Sequence, residues 1–327
     1  MKLILKTLKI LPLLIFMTII QSCSNDDDIN MPQEKDIVQT AIATPELSNL
    51  VVALQVADGN LVTALSGNGP FTVLAPTNTA FQKFLTYNGY ANLSDVPKAM
   101  LSNILLNHVI AGEVASTNLI NAGSSYAKTS ATGPQGENLS LYFNADTNVT
   151  FNGLSTVTNA DISASNGTIH IVDAVIALPT IVDFAVANPA LSSLVAALQS
   201  ADSQSPSPNL IPTLSGNGPF TVFAPTNDAF AALLNELDPS GNTTLADVPA
   251  ETVEAILKYH VVSGNITSTM IPNGEVQTLG GMVSINAAKL SITDPNNRIS
   301  NIIPALVDIQ AVNGVVHAID KVVLPKQ

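Results

Sequence analysis

Apolar residues in this chain fall into helical stripes that occur twice. Leu47, Leu50, Val51 and Leu54 sit at i, i+3, i+4 and i+7, and Leu191, Leu194, Val195 and Leu198 repeat that spacing. Each set occupies one face of an amphipathic helix. Thr44-Pro45 and Asn188-Pro189 stand just before them and predict an N-cap followed by proline in the first turn. Phe71-Thr72-Val73-Leu74-Ala75 and its twin from Phe220 are short, rich in β-formers and closed by Pro76 and Pro225, as a buried strand would be. Phe81, Phe84 and Leu85 mark a second, short helix. A third follows Pro97 and Pro249, with stripes running Leu101, Ile104, Leu105 to His108 and Val253, Ile256, Leu257 to His260. Beyond these points the pattern reads as strands and turns, punctuated by Gly280-Gly281 and Asp294-Pro295-Asn296-Asn297. Helices first and strands after predict an α+β fold.

The stripes belong to longer repeated blocks. Residues 66–81 read SGNGPFTVLAPTNTAF and residues 215–230 read SGNGPFTVFAPTNDAF, with 14 of 16 positions identical at an offset of 149. LSNLVVALQVAD from Leu47 answers to LSSLVAALQSAD from Leu191, and LSDVP from Leu93 to LADVP from Leu245. NGTIHIVDAVIALP from Asn166 answers to NGVVHAIDKVVLP from Asn313. A period this long is a duplicated domain, not a solenoid. The two copies are assigned to residues 36–179 and 180–325, each long enough to bury its own core. Thr180-Ile181-Val182-Asp183 begins the second copy directly after Pro179, so the domains are expected to abut with restricted hinge motion.

The blocks, in this order, resemble the fasciclin domain. That family opens with an LxxLVxAL helix and continues with a G-x-[FY]-T-x-[FL]-A-P-[TN]-[DN]-x-A-F segment. A helix ending in Tyr-His or a variant follows, and the domain closes on N-G-x-[IV]-H-x-[IV]-D-x-V-[LI]-x-P. Both halves carry all four, with Tyr259-His260 in the second and Asn107-His108 in the first. The resemblance implies two tandem domains, each a small β-sandwich or wedge flanked by several helices. It also implies adhesion through residues near the proline block and the Tyr-His pair, here Thr226, Asn227, Asp228, Tyr259 and His260. Eukaryotic members have integrins among their partners.

The first residues read as an export signal. Lys2, Lys6 and Lys9 precede an apolar stretch over 10–20 that is too short to span a bilayer as a helix. Ile20-Gln21-Ser22-Cys23 resembles a bacterial lipobox. This predicts a signal peptide over 1–22, lipidation at Cys23 and a flexible acidic tether over 23–35. Asp26-Asp27-Asp28 resembles the surface-export signal of Bacteroidetes lipoproteins; a plain solvated linker is the alternative reading. The expected location is the outer membrane, surface-exposed, with a periplasmic-facing arrangement as alternative. Cys23 is the single cysteine, so no disulfide forms within the chain. Loss of residues 1–22 would leave nine basic against 25 acidic side chains, a net charge of −16. That sign speaks against nucleic acid as a partner.

Candidate chemistry is sparse. His108, His170, His260 and His317 fall two per repeat at matching positions, which invites a metal or acid–base reading. All four lie within apolar stretches, and that favours buried, hydrogen-bonded histidines. No catalytic or phosphate-binding motif is present, and no cofactor or metal is expected. Asn78-Thr79 and Asn227-Asp228 are read as caps of the helix that follows them. Where the repeats diverge, Tyr87-Asn88-Gly89-Tyr90 is replaced by Asp238-Pro239-Ser240-Gly241-Asn242. Tyr87 and Tyr90 are candidates for stacking on a sugar; packing back on their own domain is the alternative. The sequence is therefore read as a surface-tethered, non-enzymatic binding or adhesion protein. A polysaccharide-associated glycan-capture protein and an enzyme with a site at the domain junction are the alternatives.

Overall fold

The computed structural model describes residues 34–326; the expected signal peptide over 1–22, Cys23 and the acidic run 26–28 lie outside the described residues. The first repeat opens with helices α1 (Ile37–Ala43), α2 (Ser48–Val56) and α3 (Leu61–Leu65) and enters the sheet on β1 (Phe71–Pro76). It continues through α4 (Asn78–Tyr87), α5 (Lys98–Leu106), β2 (Val109–Ala111) and α6 (Ser116–Ala122). Strands β3 (Ser124–Thr132), β4 (Asn138–Asn144), β5 (Thr150–Phe151), β6 (Ser155–Ala164) and β7 (Gly167–Val172) close it. The second repeat follows the same plan with α7 (Ile181–Ala187), α8 (Ser192–Asp202), α9 (Leu210–Ser215), β8 (Phe220–Pro225), α10 (Asn227–Leu237), α11 (Ala250–Lys258) and β9 (Val261–Ser263). It ends on β10 (Gly274–Gln277), β11 (Met282–Asn286), β12 (Ser291–Thr293), β13 (Ile299–Asn301), β14 (Ile309–Ala311) and β15 (Gly314–Ile319). The α+β character read from the sequence is what the chain adopts.

Helices α1 and α7 are short, and their ends are held by reciprocal caps. Asp36 accepts from the Gln39 amide and Gln39 accepts from the Asp36 amide; Thr180 and Asp183 do the same. The predicted proline cap forms at Asn188, whose side chain accepts from the Ala190 amide. It does not form at Thr44. That hydroxyl instead donates back to the Thr40 carbonyl at the end of α1. Pro45 and Pro189 each start one 3-10 turn, so α2 and α8 begin at the serines that follow. Leu47, Leu50 and Leu54 are buried as the stripe requires.

The two long motifs of each repeat lie side by side. Strand β1 pairs parallel with β7, placing Leu74 opposite His170, and β8 pairs parallel with β15, placing Phe223 opposite His317. In the first repeat one seven-stranded sheet runs β2-β1-β7-β6-β5-β4-β3. In the second it is divided into β10-β11-β12-β13 and β14-β15-β8-β9. The cause is local. Strand β6 passes through its irregular register as one strand, whereas in the second repeat Ile302, which pairs with Ile319 as Val157 pairs with Val172, is followed by a 3-10 turn at Pro304–Leu306 that separates β13 from β14. Proline supplies no ladder donor.

The repeats share one face. Tyr126 and Tyr142 of β3 and β4 pack into the core of the second repeat. Tyr126 meets Phe184 edge-on at 5.6 Å and its hydroxyl accepts from Asn188 at 3.1 Å. Burial pushes the Tyr126 phenol well above its ordinary pKa. Beside it the Gln310 amide donates to Ser140 Oγ at 2.9 Å, and Lys128 Nζ donates to the Asp308 carbonyl at 2.8 Å. A Cβ on Gly133 would lie 2.9 Å from the Ala311 carbonyl. The seam is thus an aromatic cluster edged by hydrogen bonds between side chains and backbone.

Candidate functional site

The histidines are internal braces, and their partners fix their protonation. His108 Nδ1–H donates to the Ile104 carbonyl at 2.8 Å, and the Ile176 amide donates to its Nε2 at 2.9 Å. His260 is held in the same way by Ile256 (2.9 Å) and Val323 (3.0 Å). A carbonyl can only accept and an amide N–H can only donate, so each ring is neutral with its proton on Nδ1. Burial lowers both pKa values to about 4, with the carbonyl contact pulling weakly the other way. These rings fasten the end of α5 or α11 to the closing segment of the same repeat.

His170 and His317 carry the opposite tautomer. Nε2–H donates to the carbonyls of Val114 (2.8 Å) and Ile266 (2.9 Å), and Nδ1 accepts from the amides of Asp161 (3.1 Å) and Asp308 (3.2 Å). The sequence draws attention to Asp173 and Asp320, three residues downstream of these histidines. Those carboxylates bind the Thr156 and Asn301 amides instead. Asp161 and Asp308 are the aspartates near the rings, and each receives both the amide and the hydroxyl of a serine, Ser116 or Ser268. The serine, aspartate and histidine together suggest a nucleophilic triad, but the proton connections are wrong for one. The serine hydroxyl points to the carboxylate, and the carboxylate stands 3.9 or 3.8 Å from a ring nitrogen that carries no proton. Each trio anchors a loop to a strand.

The proline block needs a correction. Asn78 and Asn227 do not cap the helices they begin. Thr77 and Thr226 do so, accepting from the Ala80 and Ala229 amides. Asn227 reaches across to the start of α8, accepting from the Ser193 amide at 2.9 Å and donating to the Pro189 carbonyl at 2.9 Å. Asn78 binds Asn49 and Pro45 in the same manner. The exposed first turns of α2 and α8, which lack side-chain caps of their own, take up the amide side chain first. Asp228 is exposed in the first turn of α10, where its charge suits the helix dipole.

Tyr259 ends α11 half-buried against Gly280-Gly281. A Cβ on Gly280 would fall 2.4 Å from its ring, and one on Gly281 would fall 2.3 Å from its hydroxyl. The glycine pair is therefore the seat of the tyrosine. In the first repeat Asn107 takes the position fully buried, donating to the Ile176 and Ala177 carbonyls and accepting from Thr129 Oγ1. The Tyr87/Tyr90 pair is split: Tyr87 is 93% exposed, while Tyr90 packs against the first core. Of the sequence-derived candidates, Asp228, Tyr87 and part of Tyr259 face solvent, and His260 does not. Thr226 and Asn227 are half-buried and engaged. No group of three or more histidine, cysteine, aspartate or glutamate side chains is gathered for a metal among the described residues.

These features define a tandem pair of duplicated α+β domains whose signature residues hold strands, caps and loops together. The fasciclin domain matches residues 45–179 and 189–325, and the chain belongs to that family. It is similar to protein sll1483 of Synechocystis, 41% identical over 148 residues, covering 45% of this chain and 73% of that protein. It is similar over both repeats to the transforming growth factor-beta-induced protein ig-h3 of Sus scrofa, 30% identical over 303 residues, covering 91% of this chain. The chain spans only 39% of that relative's length. Among solved structures, a FAS1 domain pair from the insect cell adhesion molecule fasciclin I aligns with a TM-score of 0.50 at 19% identity. That alignment covers 85% of this chain and 97% of the other; the likeness is one of fold.

Proposed function

We propose that this chain is a non-enzymatic binding protein of the cell envelope, tethered through a lipidated Cys23 and presenting two joined fasciclin domains to a surface partner. The observation that carries the reading is the engagement of all four imidazoles, each with both nitrogens paired to backbone inside the core. The groups best suited to acid–base work are thereby committed to architecture, and recognition falls to the surface. Membership of the fasciclin family, whose fold is shared by a domain pair of an insect cell adhesion molecule, supports an adhesive role, and the succession of lysines, apolar residues and Ser22-Cys23 supports the anchor. In a cell fractionation experiment, Cys23→Ala is expected to release the protein from membranes or leave it unprocessed. Correctly cleaved protein that still partitions with membranes would end the lipid-anchor reading. Replacing residues 26–28 by alanine is expected to reduce protease accessibility on intact cells; unchanged accessibility favours the periplasmic face.

Glycan capture is kept as a second reading because Tyr87 stands almost entirely in solvent at the end of α4. A glycan array with the full chain and with Tyr87→Ala tests it. Binding lost in the variant supports it, and an empty array removes it.

A further inference from the structure

The two repeats differ at one apolar site. In the second repeat a cavity of about 150 Å³ opens between α10, α11 and the closing segment, lined by Leu233, Leu237, Leu245, Val248, Ile256 and Leu324 among others. At the matching places in the first repeat, Leu93, Val96 and Ile104 are buried, whereas Leu245, Val248 and Ile256 are only half-buried and Leu237 is 53% exposed. The first repeat closes the gap from within. Phe84 replaces Leu233, and Tyr90, on a loop three residues shorter, packs onto the same core. The second repeat's loop carries no aromatic residue and folds on itself around Asp238, whose carboxylate accepts from the amides of Ser240, Asn242 and Thr243. One copy of this domain thus supplies its own aromatic cover, and the other leaves the space open.

Size and charge define what fits. A dry cavity of about 150 Å³ walled by leucine, isoleucine and phenylalanine is known to admit a benzene ring, and the walls here are of the same kind. Residues 227–258, which frame the opening, carry Asp228, Glu236, Asp238, Asp247, Glu251 and Glu254 against the single cation Lys258. The corresponding stretch of the first repeat, 78–106, has only Asp95 against Lys83 and Lys98. Lys258 and Arg298 are already paired, to Glu254 and Glu236. Lys326 follows the lining residue Pro325 and adds one cation, but the carboxylates still outnumber the cations, so an anionic lipid or fatty acid would meet net repulsion at this rim.

We propose that this groove receives the aromatic side chain of a basic peptide segment on a partner protein, the external equivalent of Tyr90 in the first repeat. The proposal rests on the binding-protein reading above and gives it a site and a partner chemistry.

The test uses the full chain and a dye-labelled nonapeptide with one phenylalanine between two pairs of lysines, read by fluorescence anisotropy. Replacing the phenylalanine by serine, or the lysines by glutamates, is expected to weaken binding about tenfold or more. Leu233→Phe with Leu237→Asn, which installs the residues of the first repeat, is expected to abolish binding while melting no lower than the parent chain. Leu237→Asn alone, at an exposed position, serves if the double variant misfolds. Equal affinity for the phenylalanine and serine peptides overturns the proposal. So does preferential uptake by anionic vesicles, or a dimer in sedimentation that Leu237→Asn dissolves, since these assign the groove to lipid or to a second copy. If the variants lose the peptide but cells displaying them still adhere, the groove is not the adhesive site and the adhesion reading stands without it.

Discussion

His260 shows how a residue that looks chemical comes to be structural. Its two nitrogens tie the carbonyl of Ile256 to the amide of Val323, so removing the ring leaves a cavity and two unpaired backbone groups. His260→Ala is expected to cost about 2–4 kcal/mol in denaturant unfolding. Binding per folded molecule should be unchanged, and a stable variant that lost binding would return the residue to function. The same burial predicts a pH dependence. His108 and His260 titrate near 4 when folded and near 6.5 when unfolded. The unfolded chain therefore takes up protons first as pH falls. Stability is fully present above pH 6.5, declines down to about pH 4 and gains no further loss from these two below that, each contributing on the order of 3 kcal/mol. His317 is shifted in the same direction by burial. Carboxylates with lowered pKa values, such as Asp161 and Glu254, add their own loss below their ordinary values of 3.8 and 4.5. A decline between pH 6.5 and 4.5 thus belongs to the histidines, and urea titrations across that range should show it weakened in a His108→Gln, His260→Gln variant.

At the level of elements, the closing motif explains why its asparagine and glycine stand together. Asn313 accepts from the Ile181 amide and donates to the Leu214 and Gly216 carbonyls, binding three segments, and Gly314 runs so close that a Cβ would fall 2.0 Å from the Phe220 carbonyl. Gly314→Ala is expected to prevent stable folding of the second repeat, measured as loss of the pair's single cooperative transition. Gly281→Ala should destabilise the native chain but less so alongside Tyr259→Asn, because the clash is with the tyrosine. Much of this framework was legible in the sequence. The leucine stripes, the strand at Phe71 and the helices bounded by Pro97 and Pro249 follow from period and punctuation. Helices α1 and α3, their counterparts α7 and α9, and α6 are not legible, since five to seven residues give too little periodicity, although the spacings Asp36–Gln39 and Thr180–Asp183 carry a capping signal. The roles of Asn78 and Asn227 differ from the local capping the sequence suggests, because a side chain that caps a distant helix leaves no local pattern. The open groove leaves no mark in the sequence pattern because it depends on Phe84 and Tyr90 filling one copy and not the other, a matter of volume and not of motif.

For the whole molecule, the shared face makes the pair one mechanical unit. Tyr126→Ala removes the ring that joins Tyr142 and Phe184. It is expected to cost about 2–4 kcal/mol and to split a single calorimetric transition into two; a transition that stays single and unshifted would show that the seam carries no coupling. A joined pair presents α4, α10 and α11 at fixed spacing, which suits the adhesive surface proposed above. The direct measurement is retention under flow, on a protein-coated surface, of cells displaying the full chain. The account predicts that displaying cells are held, that excess soluble chain competes them off, and that heat-denatured chain does not compete. Equal retention of cells with and without the chain would contradict it.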